Sequence, residues 1–317
     1  MAGRAKLGRT VARLAVAAVA VAGLAAGAQP ALGTYIVSRS TTAPSLEVDS
    51  VGRAVVSYGE GGQTKHVMVW GAVNALPPKA GGTQVEFKVD YSGGDKTMKN
   101  VCSKAKYDGP ALPLVVFACK APDGSYWALQ RWQRMLPNLG FAPWRPDQSA
   151  MELHVSHWKG ALPQLKVVTD WVWGGQYQQI VGTFVYDGKA VYGFKATPGG
   201  SPLDSWGRNV YLDTNGSAYG AGWKRENSFL AQGSNGRFCY SLGPRPPYPG
   251  YPASGPRTGT GTMYRLTALG PGVTPIVSVD VPSPGAWDPN DPAKVTQEND
   301  ANALIDSLGF TPAQCHH

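Results

Sequence analysis

The sequence lacks the motifs by which common catalytic sites are recognised. It has no Gly-x-Ser-x-Gly or His-Glu-x-x-His pattern, no phosphate-binding P-loop and no dinucleotide-binding glycine fingerprint. It has no Cys-x-x-Cys pair either, which argues against a zinc ribbon or a dithiol redox centre. We therefore expect neither a metal nor a cofactor, and we lean against an enzyme.

The sequence also lacks an apolar run long enough to span a bilayer, which takes about 20 residues. The longest run, Leu14 to Ala28, is 15 residues of mostly Ala and Val. Four basic residues precede it, and it ends on Ala26-Gly27-Ala28, the small-x-small pattern of a signal-peptidase site. Residues 1–28 are thus predicted to be a signal peptide cleaved near Ala28. The mature chain, without a transmembrane segment, is predicted to be extracellular or at the cell surface.

A dense stripe of basic residues is likewise missing. The formal charge of +8 falls to +4 in the mature chain, because four basic residues lie in the predicted signal peptide. Nucleic-acid binding needs a concentrated basic surface, so no nucleic-acid partner is expected. A mild positive charge is compatible with an anionic cell wall and equally with ordinary solubility.

Four cysteines remain in the mature chain: Cys102, Cys119, Cys239 and Cys315. In an oxidising compartment an even number favours disulfides, and four cysteines allow three pairings. We favour Cys102–Cys119, which closes a short loop, together with Cys239–Cys315, which would tie down the C-terminal tail.

Short runs rich in Val, Tyr, Trp, Phe and Thr are separated by Gly, Pro, Asn and Asp, which is typical of antiparallel strands. Residues 46–70 predict a three-stranded meander, and Asp123-Gly124 and Asp187-Gly188 predict hairpin turns. Only one helix is expected, at about 291–308, where Asn290 or Asp291 can cap it. The predicted fold is mainly β, an antiparallel sandwich-like or meander architecture stapled by disulfides.

Two folded parts are predicted after the signal peptide. A small β module covers residues 29–78, and a Pro- and Gly-rich stretch at 75–83 resembles a linker. A larger β domain covers 79–317; it carries both predicted disulfides, the C-terminal helix and a loop at 243–261 in which Pro and Gly dominate.

The densest mixture of aromatic and polar residues lies between positions 204 and 228. Sugar-binding sites combine flat apolar rings with amide and charged groups, and buried structural networks combine the same residue types. The candidate ligand-binding residues are Trp206, Arg208, Asn209, Trp223, Arg225 and Asn227. Asp213 and Glu226 could serve as the two carboxylates of a glycosidase, although the sequence does not fix their separation.

His154 and His157 are the only histidine pair outside the C-terminal tail. Their apolar neighbours favour a strand, in which residues i and i+3 point to opposite faces. A shared metal ion is therefore disfavoured, and structural or surface roles are expected for both.

Several motifs recur in the order found in a group of secreted proteins of unassigned function from high-GC actinobacteria. The sequence resembles this group over roughly residues 45–280. The resemblance implies no activity, substrate or cofactor. The motifs that carry it include Trp70-Gly-Ala-Val-Asn74, Gly207-Arg-Asn-Val-Tyr211, Trp223-Lys-Arg-Glu-Asn-Ser-Phe229 and Gly270-Pro-Gly-Val-Thr-Pro275.

The leading hypothesis is a secreted, non-catalytic envelope or extracellular protein that binds glycan. Two alternatives remain open. One is an extracellular hydrolase acting on cell-wall polymer or polysaccharide through Asp213 and Glu226. The other is a surface or filament protein whose partner is another copy of itself.

Overall fold

A computed structural model describes most of the chain after residue 33. The described residues are 34–78, 84–93, 97–133, 151–175, 177–191, 210–217, 220–227, 231–232, 236–242 and 261–310. All of them fall within one compact unit. Within these ranges, no helix is both long enough and apolar enough to cross a membrane.

Two antiparallel sheets are formed by the first half of the chain. Sheet A has the strand order β1-β8-β7-β6, and sheet B has the order β2-β3-β4-β5. The strands are β1 (Tyr35–Ser38), β2 (Thr42–Val48), β3 (Arg53–Glu60), β4 (Gln63–Trp70), β5 (Lys88–Asp90), β6 (Val115–Lys120), β7 (Tyr126–Gln133) and β8 (Met151–Trp158). A short 3-10 turn, Lys104–Lys106, precedes β6.

Two further antiparallel sheets follow. In sheet C, β10 pairs with β9, β11 and β15, and β14 pairs with β15; sheet D has the order β13-β12-β16-β17. The strands are β9 (Gln164–Val172), β10 (Tyr177–Tyr186), β11 (Lys189–Ala190), β12 (Val210–Ser217), β13 (Gly220–Asn227), β14 (Ala231–Gln232), β15 (Arg237–Leu242), β16 (Met263–Ala268) and β17 (Val277–Pro282).

The helix α1 (Pro292–Ser307) confirms the prediction near the C-terminus. Asp291 is the cap: its carboxylate accepts a hydrogen bond from the Ala293 backbone N–H, and proline stands at the first helical position. The helix buries Ile305 against Val181 of sheet C. Sequence capping signals were sufficient here because every one of them is local.

Hydrophobic clusters join the sheets in series. Sheets A and B share a core that includes Val56, Val69, Trp127 and Leu153, and sheets C and D share another that includes Phe184, Phe238, Leu212 and Tyr264. A third cluster joins Trp132 of sheet A to Tyr211 of sheet D. Face-to-face packing of antiparallel sheets confirms the sandwich-like prediction.

The motif Gly270–Pro275 lies in a fully buried connection between β16 and β17. The Val273 carbonyl accepts a hydrogen bond from the His157 N–H, and the Val273 N–H donates to the Asn74 carbonyl. The Gln130 side chain donates to the Ile276 carbonyl and accepts from the Ile276 N–H. A buried irregular segment needs partners for its backbone groups, and neighbouring sheets supply them.

The disulfide between Cys102 and Cys119 is present and closes a loop with a sequence separation of 17. Loops of this length stabilise by about 3 kcal/mol in the chain-entropy account. Cys239 is also disulfide-bonded, while its predicted partner Cys315 lies outside the described residues. The pairing of Cys239 with Cys315 therefore stays a prediction.

The strand predictions that rest on long alternating runs or on Asp-Gly turns are confirmed. These are the meander at 46–70 and both Asp-Gly hairpins. In the run 85–91, where apolar and charged residues alternate, three residues pair as strand β5. Strand β1 was not predicted, and most of the Pro- and Gly-rich loop lies outside the described residues.

The division into modules at residues 78 and 79 stays a prediction. Residues 79–83 lie outside the described ranges. Residues from both sides of that boundary contribute to the core between sheets A and B: Val56 and Val69 precede it, and Trp127 and Leu153 follow it.

We expect Gly272→Ala to lower the free energy of unfolding more than Gly188→Ala. Both glycines have positive φ, +57° and +68°, so each substitution incurs backbone strain of about 1–2 kcal/mol. At Gly272 a new Cβ would also lie 2.9 Å from the Ala75 Cβ, whereas nothing lies within 4 Å at Gly188. Overpacking should add about 1–3 kcal/mol, measurable by urea unfolding. Equal losses would contradict the tight seating of the Gly270–Pro275 connection.

Candidate functional site

A cleft of about 660 Å³ opens beside the β3–β4 hairpin, where the core between sheets A and B ends. Val37, Tyr58 and Val67 contribute to both the core and the cleft lining, so the floor is apolar. Polar side chains surround that floor, among them Ser38, Arg39, Glu60, Lys65 and Tyr91. Concave sites with an apolar floor and a few convergent polar groups are the usual form of ligand-binding pockets.

Strand alternation places the charged residues of the cleft. Glu60 follows Tyr58 by two positions on β3, so both side chains lie on the inward face. Lys65 on β4 is the cross-strand partner of Tyr58. The inward face of this hairpin is thus apolar up to Tyr58 and becomes charged at Lys65 and Glu60, where the core ends.

The Glu60 carboxylate is held by two neighbours. Ser38 Oγ donates to Glu60 Oε1 at 2.5 Å, and Lys65 Nζ donates to Glu60 Oε2 at 2.6 Å. These hydrogen bonds, that from Lys65 first, lower the pKa of Glu60 below its usual range. Glu60 is therefore a fixed carboxylate whose charge is matched by Lys65.

Tyrosine rings supply the aromatic part of the cleft. Tyr91 is 60% exposed, whereas Tyr58 is buried. The Tyr91 and Tyr35 hydroxyls lie 2.7 Å apart, and the Tyr35 ring packs edge-on against Phe87. Burial raises the pKa of Tyr58 and that of Tyr35, so both remain protonated hydrogen-bond donors at neutral pH.

Arg39 contributes the cleft's second cation. Its Nε lies 3.7 Å from Glu152 Oε1 on β8, which is too far for a hydrogen bond. That Nε atom is buried and has no hydrogen-bond partner among the described residues, although the side chain as a whole is 37% exposed. Arg39 therefore differs from Glu60 and Lys65, which are bonded to each other.

The structure describes only part of the site predicted between residues 204 and 228. Trp206, Arg208 and Asn209 lie outside the described residues, and for Glu226 and Asn227 only the backbone is described. The Trp223 side chain is half-buried, and the Arg265 guanidinium stacks over its ring at 4.2 Å. One face of the Trp223 ring is therefore covered.

Arg225 and Asp213 belong to a ladder of alternating charges across sheet D. In register, Asp280 of β17 faces Arg265 of β16, Arg265 faces Asp213 of β12, and Asp213 faces Arg225 of β13. Arg265 makes two 2.7 Å hydrogen bonds to Asp280 and is partly exposed. The pairing raises the pKa of Arg265 further.

Arg225 lies at the buried end of this ladder. It is 1% exposed, donates to Asp213 Oδ1 at 2.6 Å and stacks over the rings of Trp132 and Tyr211 at 5.1 and 4.7 Å. These contacts join sheet D to sheet A, which favours the structural interpretation for Arg225. The assignment of the other residues of the 204–228 region as ligand-binding stays a prediction.

The pair Asp213 and Glu226 was proposed as the acid and base of a hydrolase. Asp213 is engaged by Arg225 through both carboxylate oxygens, at 2.6 and 3.4 Å. The Glu226 side chain lies outside the described part of the chain, so the distance between the two carboxyls is not described. The assignment stays a prediction.

His154 and His157, both on β8, contact different groups. His154 Nδ1 lies 2.8 Å from Thr34 Oγ1, while His157 Nδ1 lies 2.7 Å from the Ala72 carbonyl and its Nε2 lies 2.8 Å from Ser125 Oγ. Both side chains are buried. Across the described residues, no group of three or more His, Cys, Asp or Glu side chains could hold a metal ion.

The cleft was missed at the sequence level because its lining comes from three separate segments. Residues 37–39, 58–67 and 91–93 meet only in the folded chain. A weak signal was present: the inward face of the hairpin turns from Val56 and Tyr58 to Glu60, and an aromatic residue, Tyr91, follows the short strand β5. A charge on the core-facing side of a strand marks either a rim or a site.

We expect Arg225→Met to destabilise the fold much more than Arg265→Met. Removing Arg225 leaves the buried Asp213 without its main partner, which should lower the free energy of unfolding by about 3–5 kcal/mol. The partly exposed Arg265–Asp280 pair should contribute only about 0–1 kcal/mol. Urea unfolding of both variants measures the difference. A small loss for Arg225→Met would contradict its structural role.

Stability should fall on acidification because of His157. Desolvation, opposed by the Ala72 hydrogen bond and by Asp123, lowers the pKa of His157 from 6.5 to about 4. Below pH 6.5 the unfolded chain binds a proton that the folded chain refuses until about pH 4. The contribution of neutral His157 to the free energy of unfolding is therefore fully present above pH 6.5. It declines by about 2–3 kcal/mol as the pH falls towards 4.

Urea unfolding of the native chain and of His157→Gln at pH 7 and 4.5 tests this expectation. The variant should show a flatter pH dependence. His66→Gln is the matched control, because His66 is exposed and its side chain is hydrogen-bonded to Ser57. If His66→Gln flattens the profile and His157→Gln does not, the assignment is wrong.

No protein-family model matches this chain, no curated protein matches its sequence and no solved structure matches its fold. The resemblance to secreted actinobacterial proteins therefore stays a prediction. Function must be inferred from the contacts of the described residues.

Proposed function

We propose that this chain is an exported, non-catalytic protein that binds carbohydrate in the cleft beside the β3–β4 hairpin. The observation that carries the proposal is the convergence of an exposed tyrosine, a buried tyrosine and several charged groups on one opening of about 660 Å³. A volume of this size accommodates one or two sugar rings.

Carbohydrate fits the chemistry of the lining. A sugar ring has apolar C–H faces and a perimeter of hydroxyls, so it is recognised by aromatic rings together with hydrogen-bonding groups. Tyr91 offers an exposed ring, and its hydroxyl is already oriented by Tyr35. Glu60 and Lys65 are fixed by each other and can accept from or donate to hydroxyls at known positions.

A binding role is favoured over hydrolysis at this cleft. Glycoside hydrolysis generally uses two carboxyl groups, one of which must carry a proton near neutral pH. Glu60 is the one carboxylate among the described lining residues, and its hydrogen bonds lower its pKa. A carboxylate held in the ionised form is a poor general acid and a weak general base.

Export is supported by the first 28 residues and by the disulfide. The basic stretch, the apolar run and the Ala-Gly-Ala end form a signal-peptide pattern. The bridge between Cys102 and Cys119 fits an oxidising compartment, where such bonds persist. The glycans met outside a cell include those of its own wall, which are the partners we propose.

We expect Tyr91→Ala to weaken retention on purified cell-wall polysaccharide. Loss of one stacking ring should reduce affinity by roughly 5- to 30-fold, in line with about 1–2 kcal/mol per aromatic contact. The readout is a pull-down followed by affinity electrophoresis. Trp173→Ala is the matched control, because Trp173 is 63% exposed, against 60% for Tyr91, and does not line the cleft.

Unchanged retention of Tyr91→Ala would contradict the cleft as the binding site. Trp223→Ala separates the two regions: if it abolishes retention while Tyr91→Ala does not, the region between residues 204 and 228 carries the binding. If the native chain is not retained on any glycan, carbohydrate binding itself is excluded.

A further inference from the structure

Arg39 differs from three other partly exposed arginines among the described residues. Arg131 also has a buried Nε without a partner, but its Nη2 donates to the Thr41 carbonyl at 2.7 Å. Arg53 has the same side-chain exposure, 37%, but its Nε donates to Asp49 Oδ2 at 2.6 Å. Arg265 is 33% exposed and makes two hydrogen bonds to Asp280. Arg39, also 37% exposed, makes no side-chain hydrogen bond to a described residue.

The position of Arg39 makes this difference informative. Its Nε is buried, and a buried donor without an acceptor is costly. Glu152 at 3.7 Å offsets the charge of the guanidinium without accepting a hydrogen bond from Nε. The side chain reaches the cleft, where solvent or a ligand can meet its N–H groups.

The other charged groups of the cleft are less suited than Arg39 to bind an anion. The charge of Lys65 is matched by Glu60 at 2.6 Å. The remaining polar groups include donors, such as the protonated Tyr58 hydroxyl and the Tyr91 hydroxyl, which lies 2.7 Å from that of Tyr35. A guanidinium with free N–H groups prefers a planar carboxylate or a phosphate, which it binds through two hydrogen bonds.

We propose that the cleft selects an acidic sugar, with the ligand's anionic group on Arg39 and its ring on Tyr91. This inference rests on the proposed function, since it names the class of carbohydrate bound at the same site. Carboxylate and phosphate share the chemistry that Arg39 recognises, so the anionic group is defined by its charge and its paired oxygens. A neutral sugar has no anionic group for Arg39, so the N–H groups of Arg39 would remain hydrogen-bonded to water.

The test compares glucuronic acid, glucose 6-phosphate and glucose by isothermal titration calorimetry with the full mature chain. We expect at least one of the two acids to bind about 10-fold more tightly than glucose or better, the gain typical of a charge-assisted hydrogen-bond pair. The relative affinities of the two acids distinguish a carboxylate-specific from a phosphate-specific site. Equal affinities for all three sugars would overturn the inference.

Arg39→Lys keeps the charge beside Glu152 and removes the planar fork. It should weaken binding of the preferred acid about 10-fold and leave glucose binding within about 2-fold. Arg53→Lys is the matched control, with equal exposure and no place in the cleft lining. Should Arg39→Lys bind the acid as tightly as the native chain, Arg39 is not the anion receptor.

A second measurement does not depend on any variant folding. For the native chain, raising NaCl from roughly 0.02 to 0.5 M should weaken binding of the acid and spare glucose, because salt screens exposed charges. Salt-independent binding of the acid would overturn the inference. If glucose and the acids bind alike and Tyr91→Ala abolishes both, the proposed function stands while the acid preference fails; if no sugar binds, both fail.

Discussion

The structure depends on one buried connection, Gly270–Pro275 between β16 and β17. Its backbone hydrogen bonds reach His157 of sheet A and Asn74, which follows sheet B, while the connection itself belongs to sheet D. Because buried N–H and C=O groups must be paired, the connection can sit in only one register relative to these neighbours. Glycine is required where the chain makes its closest approach: a Cβ on Gly270 would lie 2.3 Å from the Pro275 carbonyl oxygen.

The same connection positions the proposed site. It fixes β8 through His157, and β8 carries Glu152, whose Oε1 lies 3.7 Å from Arg39 Nε. Strand β1 is held against β8 in antiparallel register and brings Ser38 and Arg39 to the cleft. A binding site built on strands that are themselves held by a buried connection needs little rearrangement to receive a ligand, which favours affinity.

The sequence predicted the elements whose signals are local. Asp123-Gly124 and Asp187-Gly188 predicted hairpins, and Asp291 and Pro292 predicted the helix. The short interval between Cys102 and Cys119 predicted a disulfide. The cleft could not be predicted in this way. Its contacts join residues distant in sequence, such as Tyr35 with Tyr91, and no turn or cap residue encodes that distance. Alternation predicts which residues share a face, but not which two faces meet.

The same limit applies to aromatic and arginine density, which does not by itself separate a scaffold arginine from one that lines a cleft. Arg225 and Arg39 are the same residue type, yet packing gives them different surroundings. Arg225 lies against Trp132 and Tyr211 and is bonded to Asp213, so these contacts join parts of the scaffold. Arg39 lies at the rim of a core, near a carboxylate that offsets its charge without accepting a hydrogen bond from it. Each guanidinium keeps one buried nitrogen without an acceptor, Nη1 in Arg225 and Nε in Arg39. The two differ in exposure and in their remaining contacts: Arg225 is 1% exposed and bonded to Asp213, whereas Arg39 is 37% exposed and lines the cleft.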